Sequence, residues 1–211
     1  MNQFIRAGTI AAILGGLLLA VGAALVLLPP AYETFSAEAT SAEFAVSSAM
    51  RLAGAVLMTW GLIAIYLPQA DQAGKLGIFA VIASLLSMVL QMGWMFTDLF
   101  TAPILASHAP QVLDGGDIGR LGTAFMAAWL ANTSFMLLGI ASLRARVLSK
   151  LVGISLIVAG GITLVPLPVD GPVYEIIIGI SFAVAGARAL PGPVNTTTAT
   201  RRTSSQPTPH A

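Results

Sequence analysis

The chain has 211 residues, of which 56% are hydrophobic and 9% charged, with a formal net charge of +1. A soluble domain is about 25% charged because its surface faces water, so a chain this poor in charge takes lipid as its expected solvent. It contains no cysteine, which excludes disulfides, thiolate metal sites and a cysteine nucleophile, and a net charge near zero gives no reason to expect nucleic acid as a partner.

A hydrocarbon core about 30 Å thick takes roughly 20 mostly apolar residues per helix. The expected fold is all-α, a polytopic membrane bundle of six transmembrane helices over residues 7–28, 46–67, 76–97, 121–143, 151–165 and 173–190. The first apolar run is longer than the h-region of a signal peptide, which is about 7–15 residues, and reads as an uncleaved helix. Before the second span, Thr40-Ser-Ala-Glu43 forms a capping box, which starts that helix one or two turns outside the membrane.

The third helix carries the most informative pattern. Ser84, Ser87, Gln91, Trp94 and Asp98 follow spacings of three, four, three and four, which places them on one helical face. Their neighbours are almost all Leu, Val, Ile, Met, Ala and Phe. A polar face turns away from lipid, toward other helices or a wet cavity. Two readings follow: the stripe lines a path or ligand site, or it serves as interhelical hydrogen bonding. Asn132, with Thr133 and Ser134 on the fourth helix, continues it into the inner half of the membrane.

Between these helices, residues 100–119 form the longest connection, with Pro103, Pro110 and Gly115-Gly116, and read as an outer loop. The fifth and sixth helices are short and joined by a Pro-rich turn ending in Asp170-Gly-Pro172. That sequence puts an acid and a proline where a helix start favours both. The tail 191–211 is rich in Pro, Thr and Ser and reads as disordered. The glycosylation patterns at Asn132 and Asn195 fall in a helix and in this tail, and are chance matches.

Positive flanks stay cytoplasmic. With the amino terminus inside, Arg6, Lys75, Arg144, Arg146, Lys150, Arg188, Arg201 and Arg202 are cytoplasmic, and only Arg51 and Arg120 fall outside. The reading is a multi-pass cell-membrane protein with both termini cytoplasmic. Low Lys with high Ala and Gly content suggests a bacterial source.

A shift of 69 residues lays Arg51-Leu52, Ala55 and Trp60 on Arg120-Leu121, Ala124 and Trp129. The shared R-L-x2-A-x4-W pattern points to a bundle built from repeated two-helix hairpins. Duplicating a two-helix unit preserves its orientation, so the repeats are related by an axis along the membrane normal. A third copy is fainter: Lys150-Leu-Val-Gly153 echoes Lys75-Leu-Gly77.

Arg51 and Arg120 lie just inside the outer boundary. They serve an outward-facing anion or headgroup site, or else pair with Asp98, Glu175 or Glu43 at the same depth, or snorkel. Trp60 and Trp129 lie nine residues deeper and are expected to pack inside the bundle. Gly16, Ala20 and Ala24 on the first helix, and Gly179, Ala183 and Ala187 on the sixth, form small-residue seams for close backbone approach.

Expected absences complete the picture. No span holds a His, a mid-helix Lys or a central carboxylate, which argues against haem ligation, a retinal Schiff base, catalysis by a Ser–His pair and carboxylate-coupled carriage. No cofactor or metal is expected. The leading expectation is a non-enzymatic structural or accessory membrane protein whose partners are the bilayer and other membrane subunits or a second copy. The alternative is a small transporter or ligand- or lipid-binding protein that uses the third-helix stripe.

Overall fold

A computed structural model describes residues 2–28, 32–115, 126–146, 148–164 and 170–190. Every regular element among them is helical. In chain order they are α1 (Asn2–Val26), α2 (Phe35–Ala39), α3 (Ala42–Tyr66), α4 (Ala70–Phe96), α5 (Ala102–His108) and α6 (Pro110–Asp114), then α7 (126–131), α8 (Ser134–Ala145), α9 (Lys150–Ile162) and α10 (Asp170–Ala189). Among the described residues, five helical stretches are long and apolar enough to cross a membrane: those built on α1, α3, α4 with α5, α7 with α8, and α10.

The fifth expected span differs. α9 has 13 residues, about 20 Å at 1.5 Å per residue, too short to traverse a 30 Å core as a helix. Ser149 caps its start, accepting from the Val152 N–H, and the helix ends at Ile162 beside Gly160-Gly161. The Pro-rich residues 165–169 that follow lie outside the described residues, as do the whole 116–125 connection with Arg120 and the 191–211 tail.

The helices pack as an antiparallel ring: α1 on α3, α3 on α4, α4 on α8, α8 on α9, α9 on α10, and α10 back on α1. Small residues set the tightest contacts. A Cβ on Gly16 would run into the Gly179 carbonyl, and one on Gly179 into the Gly16 carbonyl, so the two seams face each other across α1 and α10. Further along this contact a Cβ on Gly186 would lie 2.8 Å from the Thr9 carbonyl. The amino end of α1 and the carboxyl end of α10 therefore share one end of the bundle. Ala24 and Ala187, at the outer members of the expected seams, are exposed and take no part.

The apolar surface divides as a lipid-facing bundle requires. Met58, Met88, Met95, Phe135, Leu156, Ile178 and Phe182 fill the interior, while Leu14, Phe79, Ile82, Leu86 and Leu151 are each at least half exposed on the outside. A hydrophobic perimeter of this kind is unfavourable in water and suits a bilayer.

Several local expectations are revised. The cap of α3 is Ser41, whose Oγ accepts from the Phe44 N–H at 3.1 Å, one residue later than the expected Thr40. Thr40 instead ends α2 and donates to the Ala37 carbonyl. Two hydroxyls in succession offer two caps, and the preceding short helix takes the first. The connection after residue 100 is not an open loop up to residue 114. A π turn (Thr97–Thr101) carries α4 into α5, followed by α6. These short helices make a small cap with α2, sealed by Ala39, Phe44, Ala102 and Ala106. At the other end α4 is broken at Gly74, whose φ of 60° suits glycine. Trp60 is also revised: it is 39% exposed and packs on Phe4 at 5.8 Å between ring centroids, at the bundle surface near the chain's amino end.

Candidate functional site

The polar face of α4 turns into the bundle. Ser84 and Ser87 are fully buried, and Gln91, Trp94 and Asp98 are partly so. The hydrophobic residues around them set this rotation, because Ile82, Leu86 and Val89 gain more from lipid contact than serines would.

Toward the end of the bundle that carries α2, α5 and α6, three elements converge. α3 supplies Arg51, the π turn supplies Asp98 and α10 supplies Glu175. The guanidinium donates twice to Glu175, Nε to Oε2 and Nη2 to Oε1, each at 2.7 Å. Its Nη1 reaches Asp98 Oδ2 at 3.4 Å, and the Trp94 indole N–H donates to the same oxygen at 3.0 Å. Gly22 on α1 makes room for this arginine, since a Cβ there would lie 2.9 Å from Arg51 Cγ. The side chains of Arg51, Asp98 and Glu175 are 13%, 13% and 5% exposed. By helix rise, Arg51 lies about 22 Å from the Tyr66 end of α3 and about 14 Å from its Ala42 end.

One cation thus faces two carboxylates in a nearly dry place. Breaking such a cluster strands a charge where solvation is poor, so the three helices are locked in register. Glu43, considered as an arginine partner from sequence, is engaged elsewhere, accepting from the Tyr32 hydroxyl at 3.1 Å. The π turn widens the helix at Asp98, and such turns recur at functional positions.

Two turns along α4 from Asp98, the Gln91 amide is within hydrogen-bonding reach of the buried Tyr174 hydroxyl. Tyr174 also packs edge-on against Trp129 and Phe135, and Trp129 donates to the Thr163 carbonyl at 2.9 Å. Deeper still, Ser87 donates to Asn132 Oδ1 at 2.6 Å. Asn132 sits in a break between α7 and α8, where the Asn132, Thr133, Phe135 and Met136 N–H groups all bond three residues back. Ser87 lies about 18 Å along α4 from Lys75, which puts this contact near the middle of the bundle. Three buried polar atoms close by in sequence, Ser84 Oγ, Asn132 Nδ2 and Ser134 Oγ, have no hydrogen-bond partner.

The sequence singled out Ser84, Ser87, Gln91, Trp94, Asp98, Asn132, Arg51 and Arg120. The structure joins Trp94, Asp98 and Arg51 in one network and Ser87 with Asn132 in another. Ser84 is buried without a partner, and Arg120 lies outside the described residues. Tyr174 and Thr163 were not anticipated. Asp170-Gly-Pro172 marks the start of α10 and so foretells that Tyr174 and Glu175 share its first turns, but nothing local says which way they face.

Beside Gln91, Tyr174 and Glu175 lies a cavity of about 20 Å³, walled by Leu19, Met58, Met95 and Phe135. That holds about one water. No protein-family profile, curated protein or solved structure matches this chain. Fold, composition and surface define a helical membrane protein with a lipid bilayer as its environment.

Proposed function

We propose that the protein is a non-enzymatic structural or accessory component of the cell membrane, crossing it six times with both termini cytoplasmic. The observation that carries this reading is how the polar stripe is used. Trp94 and Asp98 bond to one another and Asp98 to Arg51 on α3, Gln91 lies within hydrogen-bonding reach of Tyr174 on α10, and the space left beside Gln91 is about the size of one water. A conduit or a site for a polar solute needs more room. In this reading α9, antiparallel to α8 and α10, is counted as the sixth and shortest crossing. The Arg51 and Arg120 hairpins are copies of one unit, and the chain is of bacterial type.

Affinity purification of the tagged full-length chain in a mild detergent tests the assignment. An accessory component brings down a stoichiometric membrane partner or a second copy, and Gln91→Leu leaves that association intact. Recovery as a stable lone monomer argues against it.

A second reading, a small transporter or ligand-binding protein, is favoured by one specific feature. Two carboxylates share a single guanidinium beside a π turn, leaving a surplus negative charge near the outer surface. Under that reading Gln91→Leu or Asp98→Asn abolishes uptake or binding of a cationic solute by proteoliposomes while the fold survives.

A further inference from the structure

At the opposite end of the bundle from the Arg51 network, a surface pocket opens between α4 and α8. Its wall is Gln72, Ala73, Lys75, Leu76, Ala141, Arg144 and Ala145. The pocket has a volume of about 270 Å³, space enough for a small polar group and the atoms attached to it. Two cations face it from different helices, and among the described residues neither has a carboxylate within salt-bridge distance. Asp71, the acid nearest in sequence, does not line it. The break at Gly74 places residues from both sides of the kink on one wall.

We infer that this pocket holds the phosphate of an anionic phospholipid headgroup. The chemistry matches on three counts. A planar guanidinium and a compact ammonium are the two groups that bind phosphate oxygens, the first in a bidentate manner and the second as a point charge. The Gln72 amide adds a neutral donor. Basic pockets between transmembrane helices at the membrane boundary are also where such headgroups dock.

A free phosphate ion shares that chemistry, but the rest of the surroundings fit a lipid. The apolar part of the pocket's lining is Ala73, Leu76, Ala141 and Ala145. One turn further along α4, Ile78 and Phe79 are 49% and 62% exposed on the lipid-facing side. A headgroup seated on Lys75 and Arg144 therefore has an apolar path for its glycerol and acyl chains directly above it. A soluble ion gains nothing from that path.

Native mass spectrometry of the full-length protein in detergent, with equimolar phosphatidylglycerol and phosphatidylcholine, tests the site. The wild type is expected to retain phosphatidylglycerol preferentially. K75Q and R144Q each weaken that retention about fivefold, the equivalent of roughly 1 kcal/mol per basic residue, and the double variant abolishes the preference. K75R/R144K keeps it, as does K150Q, which removes a cation at the same end outside the pocket. Both substituted side chains are exposed, and an unchanged circular dichroism spectrum and elution volume verify that each variant is folded. Equal retention of the two lipids, or a preference that survives K75Q/R144Q, overturns the inference. Inorganic phosphate that raises the melting temperature of the wild type as much as phosphatidylglycerol does assigns the pocket to a free anion and overturns the lipid assignment.

Discussion

Arg51 and Glu175 stand 124 positions apart in the chain and are joined by two parallel hydrogen bonds of 2.7 Å, the fork of the guanidinium matching the fork of the carboxylate. This pairing ties α10, the last helix, to α3, the second of the long helices. Because Asp98 reaches the same guanidinium, α4 is held as well. A cluster linking three helices at one depth fixes both their vertical register and their rotation, which apolar packing against lipid leaves loosely specified.

Removing the cation alone is expected to be severe. Arg51→Met leaves two carboxylates facing each other in a poorly solvated site and should cost about 3–5 kcal/mol, the range for breaking a buried pair. Arg51→Met combined with Glu175→Gln and Asp98→Asn removes the stranded charges and should recover part of that loss. Denaturant unfolding in micelles measures both. A triple variant no more stable than the single one would show that the stranded charge is not the source of the cost.

The two buried serines of the stripe should behave oppositely. Ser87 donates to Asn132, so Ser87→Ala leaves a buried acceptor unpaired and should cost about 1–3 kcal/mol. Ser84 Oγ has no partner, so Ser84→Ala should be neutral or stabilising. Melting temperatures of the two variants, run side by side, decide this, and equal losses would contradict the assigned bonding.

Glycines offer a second contrast. A Cβ on Gly16 collides with the Gly179 backbone, whereas nothing lies within 4 Å of a Cβ on Gly93. Gly16→Ala should therefore destabilise by about 1–3 kcal/mol through overpacking. Gly93→Ala should stabilise by about 0.5–1 kcal/mol, since alanine loses less backbone entropy in a helix. Unfolding midpoints give both signs, and a tolerated Gly16→Ala would mean that α1 and α10 are further apart than described.

The cap formed by α2, α5 and α6 depends on a side chain far away in sequence. Asp114 accepts from the Ser36 N–H at 2.9 Å and from its hydroxyl at 2.7 Å, docking α6 onto α2. Asp114→Ala should leave global unfolding nearly unchanged and raise amide exchange across residues 35–41. Hydrogen exchange read by mass spectrometry checks this. Protection unaltered in that segment would assign the docking to Ala39, Phe44 and Ala102 alone.

Much of the architecture is legible in the chain because the bilayer imposes a one-dimensional rule. Twenty apolar residues cover its thickness, and a helix must satisfy its own backbone there. That rule locates the long helices and predicts the buried face of α4, since Ser84, Ser87, Gln91, Trp94 and Asp98 lie among residues that prefer lipid. At α9 the rule is least decisive, since the already short apolar run 151–165 yields a helix of 13 residues. Apolarity measures the medium, while helix length also depends on where backbone bonding stops, and here it stops beside Gly160-Gly161. The break at Asn132 escaped for a similar reason, as asparagine in an apolar run carries no local sign of unwinding.

Composition and periodicity thus determined the solvent, the approximate extents of the long helices and which face of α4 points inward, because those are properties of single segments in a layered medium. Only the tertiary structure decided that Arg51 takes Glu175 and Asp98 rather than Glu43, that the seam of α1 meets that of α10, and that Lys75 and Arg144 share a pocket. Each is a meeting of residues from separate helices. Lipid surrounds every helix alike, so the choice of neighbour is left to side-chain shape and charge in three dimensions.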